Sequence, residues 1–204
     1  MQNHVIDSDM SEIQQDNAVE TGLRLKKTVV MVGMMGAGKT AVGRALALRL
    51  NVPFLDSDAE IETAANMSVP EIFERDGEPF FRRKETQVIS RLLDEECGIL
   101  STGGGAFLAE ENRANITARG VSVWLNADLD LLWQRVRHKD TRPLLRTPDP
   151  RATLADLYAQ RVPVYALADV AVVSKPDFTI EEMVDRVVAT LLTERPDVLE
   201  KTDA

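Results

Sequence analysis

The sequence is poor in the residues that build disulfide frameworks and histidine-centred sites. Its 204 residues include one cysteine, Cys97, and two histidines, His4 and His138. A single cysteine excludes an internal disulfide and fits a reducing compartment, where we expect Cys97 to be a small core residue. Neither histidine has a metal-ligating neighbour in the sequence, so the pattern argues against a zinc site and against histidine catalysis.

Long apolar runs and an excess of positive charge are also missing. No stretch of eighteen apolar residues exists, and the N-terminus lacks the layout of a signal peptide. We therefore expect a cytoplasmic protein. The 24 basic and 33 acidic residues give a formal net charge of −9, which disfavours nucleic acid or an anionic membrane as a partner.

Both ends of the chain are polar. Residues 1–23 contain five acidic side chains, no lysine or arginine, and no apolar periodicity. Residues 1–25 are therefore predicted to be a disordered acidic leader. Residues 194–204 are predicted to be a polar C-terminal tail, which leaves residues 26–193 as one domain.

Short apolar runs alternate with amphipathic stretches along this domain. The apolar runs are Thr28–Val32, Val52–Leu55, Gly98–Ser101, Val121–Leu125 and Val170–Val173. The amphipathic stretches are Ala41–Leu50, Ala59–Asn66, Phe80–Glu95, Glu110–Arg119, Leu129–His138, Leu154–Leu167 and Ile180–Thr193. This alternation predicts an α/β fold, a three-layer sandwich in which helices cover both faces of a five-stranded parallel sheet. Residues 138–151 break the pattern with three prolines and several charges, which is typical of a lid.

A phosphate-binding loop follows the first apolar run. Residues 33–40 read G-M-M-G-A-G-K-T, a full match to G-x-x-x-x-G-K-[ST] between a predicted strand and a predicted helix. The backbone N–H groups and the positive helix end at such a loop suit a polyphosphate. Lys39 is predicted to reach the β- and γ-phosphates of a nucleoside triphosphate, and the Thr40 hydroxyl is predicted to ligate Mg²⁺.

Two carboxylates follow the second predicted strand. Alternate side chains leaving a strand point the same way, so Asp56 and Asp58 can both face the phosphate loop. One of them would serve the metal, and the other would accept a proton or a hydrogen bond from a substrate hydroxyl. The alternative is that Asp58 only caps the helix that begins at Ala59.

Glycines and arginines complete the candidate site. Residues 101–105 read S-T-G-G-G at the end of the third predicted strand, where they serve either a tight turn or a close approach of the backbone to a ligand. Arg82 precedes Glu85 by three residues on a predicted helix, so the glutamate can hold the guanidinium in position. Arg142 lies in the predicted lid and Arg161 on a later helix. An acidic protein that binds an anionic substrate needs a local cluster of this kind.

These residues, in this order, resemble the shikimate kinase family, the small phosphate-loop kinases of aromatic amino-acid biosynthesis. The resemblance covers roughly Thr28 to Thr193. Its signals are G-M-M-G-A-G-K-T-A-V-G, D-S-D, F-E-R-D-G-E-P-F-F-R-R-K-E, S-T-G-G-G, and the pair R-P-L-L and Q-R-V-P-V-Y. Many kinases share the phosphate loop, whereas the third stretch and the triple glycine are far more specific. The resemblance implies a P-loop kinase fold with a lid, and transfer of the γ-phosphate of ATP to the 3-hydroxyl of shikimate.

The resemblance also implies which residues contact the nucleotide. They are Gly36, Ala37, Gly38, Lys39, Thr40, Ala41, Arg135 and Arg142. Thr40 would ligate Mg²⁺, and Asp56 would help hold it through water. Lys39 and Arg142 would offset charge on the transferring phosphate, while Arg135 would lie against the adenine. Many relatives have an arginine or glutamine after the fifth strand that touches adenine, but residues 174–177 of this chain read S-K-P-D.

For the acceptor, the resemblance implies a second group of residues. Asp58 would bind the hydroxyls of shikimate and stand next to the one that is phosphorylated. The carboxylate and ring would be held by Arg82, Arg161 and the backbone of Gly104. Phe73 and Phe81 would wall the pocket.

Two other functions compete with this interpretation. A gluconate kinase would share the phosphate loop but has no need for two arginines that converge on a ring carboxylate. An ATP-binding regulatory module would keep the fold but should have lost Lys39, Asp58 or a substrate arginine, and all of these are present. We therefore expect a monomer that uses shikimate and ATP with Mg²⁺ and binds neither nucleic acid nor a membrane.

Overall fold

The computed structural model describes residues 22–95, 97–138 and 143–202, which form two sheets and a set of helices around the larger one. The strands are β1 (Leu23–Leu25), β2 (Thr28–Val32), β3 (Phe54–Asp56), β4 (Ile99–Ser101), β5 (Gly120–Ala127), β6 (Val170–Ser174) and β7 (Leu199–Lys201). The helices are α1 (Lys39–Leu50), α2 (Ser57–Ala65), α3 (Val69–Asp76), α4 (Glu78–Glu95), α5 (Glu110–Arg119), α6 (Leu129–Val136), α7 (Pro150–Tyr165) and α8 (Ile180–Glu194).

The larger sheet has the strand order β3-β4-β2-β5-β6, and every neighbouring pair is parallel. All five residues of the central strand β2 are buried, as expected for a parallel strand that is covered on both faces. The predicted α/β fold with a five-stranded parallel sheet is therefore confirmed. Because β4 and β5 flank β2 on opposite sides, the loop after β2 lies where the strand order reverses, which is where such sheets bind ligands.

Two clusters of apolar side chains hold the layers together. The larger one includes Leu46 of α1, Ile89 of α4 and Leu191 of α8, all fully buried. The smaller one joins α2, α3 and α4 through Ile61, Ile72 and Phe81. α4, which contributes to both clusters, carries the first candidate arginine, Arg82.

The domain extends further at both ends than the sequence predicts. β1 pairs antiparallel with β7, so Leu23–Leu25 is part of the folded domain, although it was predicted to be leader. The predicted tail also differs, because Val198 and Leu199 are fully buried. Their burial is compatible with a polar sequence because the outward side chains pair, as Lys26 does with Glu200 at 2.9 Å. The first 21 residues of the predicted leader lie outside the described part of the chain.

Two local features also differ from the prediction. The sequence analysis missed α3, although Ser68 and Glu71 form a capping box at its start and Pro70 lies in its first turn. Cys97, predicted to be in the core, is exposed in the connection between α4 and β4. Among the helices of the described segments, none is long and apolar enough to cross a bilayer.

Candidate active site

The loop between β2 and α1 forms the floor of a cleft of about 480 Å³. Gly36 in this loop has a φ of 83°, and a Cβ there would lie 2.7 Å from Val136, so both the conformation and the space require glycine. Lys39 begins α1, and its Nζ donates hydrogen bonds to the carbonyl oxygens of Gly33 and Met34 at 2.9 and 3.1 Å. These bonds hold the ammonium group over the loop.

Thr40, in the first turn of α1, and Asp56, at the end of β3, line the same cleft. The Thr40 hydroxyl lies 3.4 Å from the Ser101 hydroxyl at the end of β4. Oδ1 of Asp56 accepts the N–H groups of Asp58 and Ala59 at 3.1 and 3.3 Å, so Asp56, and not Asp58, caps α2. No cluster of three His, Cys, Asp or Glu side chains able to hold a metal occurs in the described residues. A cation bound here would therefore need phosphate and water ligands as well.

Two carboxylates converge on Gly103, the first glycine of the triple-glycine turn. A Cβ at this position would lie 2.8 Å from Oδ1 of Asp58 and 3.1 Å from Oε1 of Glu85. Both oxygens are buried, and neither has a hydrogen-bond partner within the described chain. A buried acceptor without a partner is costly, so this corner is suited to receive a donor from a ligand.

The pKa values of both carboxyls are raised. Burial is the main cause for Asp58, the charge of Asp56 adds to it, Lys39 opposes it, and the pKa rises to about 6. Burial raises the pKa of Glu85 to about 7, although the neighbouring Arg82 guanidinium lowers it. Asp58 is thus ionised at neutral pH and still basic enough to accept a proton, as a general base must.

Arg82 is held in position by two glutamates and two aromatic rings. It donates to Oε2 of Glu85 at 2.8 Å and to Oε1 of Glu78 at 3.0 Å. Its guanidinium carbon lies 5.3 Å from the centre of the Phe81 ring and 5.9 Å from that of Phe73. The predicted contact between Arg82 and Glu85 is therefore present, and the two phenylalanines lie against the guanidinium.

Both arginines lie against the triple-glycine turn. A Cβ on Gly105 would lie 2.5 Å from a nitrogen of Arg82, and one on Gly104 would lie 3.8 Å from a nitrogen of Arg161. Tyr165, one helical turn after Arg161, is fully buried and donates its hydroxyl to the Gly104 carbonyl. The sequence analysis quoted this tyrosine within Q-R-V-P-V-Y but gave it no role. The spacing of four residues between Arg161 and Tyr165, which places both on one face of a helix, could have indicated that Tyr165 belongs to the site.

The other side of the cleft is lined by residues from α6 and from the segment after β6. Arg135 reaches the phosphate loop from α6 and donates to the carbonyl oxygens of Gly36 and Ala37 at 3.3 and 3.4 Å. Arg142 lies outside the described residues. Five further residues line this part of the cleft and were not predicted: Ser174, Phe178, Thr179, Ile180 and Met183.

The chain is similar in sequence and in fold to enzymes named shikimate kinase. A family model described as shikimate kinase matches residues 35–192. A shikimate kinase of Ruegeria pomeroyi is 68% identical over 194 residues, which cover 94% of this chain and 99% of that protein. One from Cereibacter sphaeroides is 69% identical over 177 residues, covering 87% and 88%. The solved structure of a shikimate kinase from Acinetobacter baumannii in complex with shikimate matches with a TM-score of 0.78 and 36% identity, covering 83% of this chain and 94% of that one.

Proposed function

We propose a mechanism for this cleft that starts from the family to which the chain belongs, the shikimate kinase family. As a member of that family it is an ATP-dependent kinase, which transfers the γ-phosphate of ATP to the 3-hydroxyl of shikimate and gives shikimate 3-phosphate and ADP. One observation carries the assignment of roles to residues. The phosphate loop, an unpartnered carboxylate oxygen and two guanidinium groups surround the same glycine turn.

The phosphate loop is proposed to bind the triphosphate of ATP. The N–H groups of residues 36–41 and the positive end of α1 attract the phosphate oxygens, and Lys39 exchanges its carbonyl partners for the β- and γ-phosphates. The Thr40 hydroxyl and, through water, Asp56 would hold Mg²⁺, an arrangement typical of a cation that keeps several waters and takes few carboxylates. When bound, Mg²⁺ neutralises charge on the phosphates. Arg142 stays a prediction for the same task.

The triple-glycine turn is proposed to bind the acceptor. Arg82 and Arg161 present two guanidinium groups to one loop, and such groups bind a carboxylate through paired N–H donors. With the carboxylate held there and the ring against the Gly104 backbone, a ring hydroxyl can reach the free Oδ1 of Asp58. The A. baumannii relative, solved with shikimate, supports this acceptor.

In the reaction that we propose, Asp58 accepts a hydrogen bond from the 3-hydroxyl and takes its proton as the oxygen bonds to the γ-phosphorus. The bond between that phosphorus and the bridging oxygen breaks, and ADP leaves with the bond electrons. Lys39 offsets charge on the transferring group. Most of the rate enhancement then comes from positioning and electrostatic stabilisation rather than from covalent catalysis.

The surroundings of the enzyme are also part of the proposal. A net charge of −9 supports a chain that works without nucleic acid or a membrane surface. We propose a cytoplasmic monomer.

The direct test is ADP release by the purified chain with ATP and Mg²⁺, measured in a coupled assay. Release should require shikimate and should be absent with gluconate, an open-chain acid without the ring that is proposed to lie against the Gly104 backbone. Lys39→Met, which removes a charge without opening a core cavity, should leave at most a few per cent of turnover. ADP release that does not depend on shikimate would contradict the proposed acceptor.

A further inference from the structure

The two substrates are expected to reach the phosphate loop from opposite sides of the central strand β2. Asp58 and Gly103 follow β3 and β4, which lie on one side of β2, whereas Ser174 ends β6 at the opposite edge. The segment after β6 lines the cleft together with Ser174. With the acceptor beside Asp58, the base of the nucleotide would lie on the other side of the cleft, against the segment after β6.

The side chains after β6 that face the cleft are mainly apolar. Phe178, Ile180 and Met183 line it, and Ile180 keeps 45% of its surface exposed. The guanidinium carbon of Arg186 lies 3.8 Å from the centre of the Phe178 ring, which fixes the orientation of that ring. These residues form an apolar wall, and such a wall packs against any base without forming hydrogen bonds to its edge.

Most polar groups on this side are already engaged within the chain. Thr179 forms a capping box with Glu182, in which its hydroxyl accepts the Glu182 N–H at 3.1 Å and its own N–H donates to the Glu182 carboxylate at 2.8 Å. The carbonyl of Lys175 accepts the N–H of Phe178 at 3.2 Å, and Pro176 has no N–H to donate. These four backbone and side-chain groups are therefore already committed within the chain.

Ser174 is the exception. It is 3% exposed and lines the cleft, and its hydroxyl has no hydrogen-bond partner in the described structure. A hydroxyl rotates to donate or to accept, whereas amide and guanidinium groups have fixed roles. It can pair with the amino group of adenine or with the carbonyl oxygen of guanine equally well.

We propose that this enzyme discriminates poorly between purine bases and uses guanine as well as adenine nucleoside triphosphates as the phosphate donor. The inference rests on the proposed function of the cleft. Strong discrimination arises when a wrong ligand leaves a committed polar group of the site unpaired, and a pocket without such groups achieves only about a hundredfold. The apolar wall of Phe178, Ile180 and Met183 and the adaptable hydroxyl of Ser174 belong to the second kind of pocket. Arg135, which also lines the cleft, donates to the carbonyl oxygens of Gly36 and Ala37.

The test compares kcat/KM for ATP and GTP at saturating shikimate and Mg²⁺. The value for GTP should be within about a hundredfold of that for ATP. Ser174→Ala should lower both values by the same factor, at most about tenfold for one neutral hydrogen bond, so that their ratio stays constant. Val173→Ala, on the exposed face of the same strand, is the matched control and should change neither value.

The outcomes separate this inference from the proposed function. A preference for ATP of ten-thousandfold or more would overturn it, and so would a Ser174→Ala variant whose ATP and GTP values diverge. Unchanged values in that variant would overturn the role given to the hydroxyl. Dissociation constants for ADP and GDP, measured by calorimetry without shikimate, should show the same small ratio. Failure of shikimate turnover with ATP itself would instead contradict the proposed function.

Discussion

Adding a methyl group at Gly103 should lower kcat strongly while the protein stays folded. Gly103→Ala places a Cβ 2.8 Å from Oδ1 of Asp58, closer than Cβ atoms approach oxygen in proteins, and 3.1 Å from Oε1 of Glu85. Gly103 is not among the glycines with positive φ, so the backbone accepts alanine. The Asp58 side chain is short and can rotate away from the methyl, and it therefore absorbs most of the change.

The expected loss follows from that movement. A displacement of about 1 Å at a catalytic group costs on the order of a hundredfold, and complete loss of a general base costs about 10²- to 10⁴-fold. We therefore expect kcat to fall by about a hundredfold or more. Crowding a packed site costs roughly 1–3 kcal/mol. For a chain of this size that lowers Tm by roughly 2–12 °C, which leaves the enzyme folded at assay temperature.

Gly105→Ala is the matched comparison two residues away. Its Cβ would lie 2.5 Å from the guanidinium of Arg82, at the far end of a long side chain that is proposed to hold the substrate carboxylate. This variant should raise KM for shikimate more than it lowers kcat. Steady-state kinetics of both variants, with melting curves, give the comparison. A folded Gly103→Ala enzyme with wild-type kcat, or two variants with the same kinetic signature, would refute the roles given to Asp58 and Arg82.

Three further predictions concern the metal, the pH and the terminal strands. Asp56→Asn should raise the Mg²⁺ concentration needed for half-maximal activity, whereas Asp58→Asn should lower kcat even at saturating Mg²⁺; equal metal dependence in both variants would contradict this division. Because Asp58 must be ionised to accept a proton and its pKa is about 6, kcat should fall as the pH drops below about 6. The pKa values of Asp58 and Glu85 are raised in the folded state, so both groups contribute stability that is complete below about pH 4 and is lost as the pH rises through about 6 and 7. Glu85→Gln cannot ionise, so the Tm of this variant should rise relative to that of the wild type as the pH increases across that range. Leu199→Ala should cost about 2–5 kcal/mol of stability, seen as a lower Tm, and leave kcat unchanged because no residue of β7 lines the cleft.

Features formed by residues that are close together in the sequence could be predicted from it. The phosphate loop depends on eight consecutive residues, and the pairing of Arg82 with Glu85 depends on one helical turn. Periodicity and the order of the apolar runs were enough for the parallel sheet. The capping box at Ser68 is also local, so α3 was predictable from the sequence in the same way.

Contacts between distant parts of the chain could not be placed in this way. The Tyr165 hydroxyl bonds to Gly104 across 61 positions, and neither residue indicates the other. The pairing of β1 with β7 joins two polar segments at opposite ends of the chain, where composition predicts solvation. Residues 174–177 could be singled out in the sequence, but the role of Ser174 arises from a hydroxyl left without a partner in the folded cleft, which no local pattern shows.

The position of the transferred phosphate tests the central claim most directly. The account requires that ATP and shikimate, incubated with the enzyme and Mg²⁺, give a product whose phosphorus couples in NMR spectra to the proton on carbon 3 of the ring, with one ADP formed for each phosphate transferred. Asp58→Asn should form the same product far more slowly. Coupling to the proton on carbon 4 or 5, or ADP formation without a phosphorylated ring, would contradict the placement of shikimate between Arg82, Arg161 and Asp58.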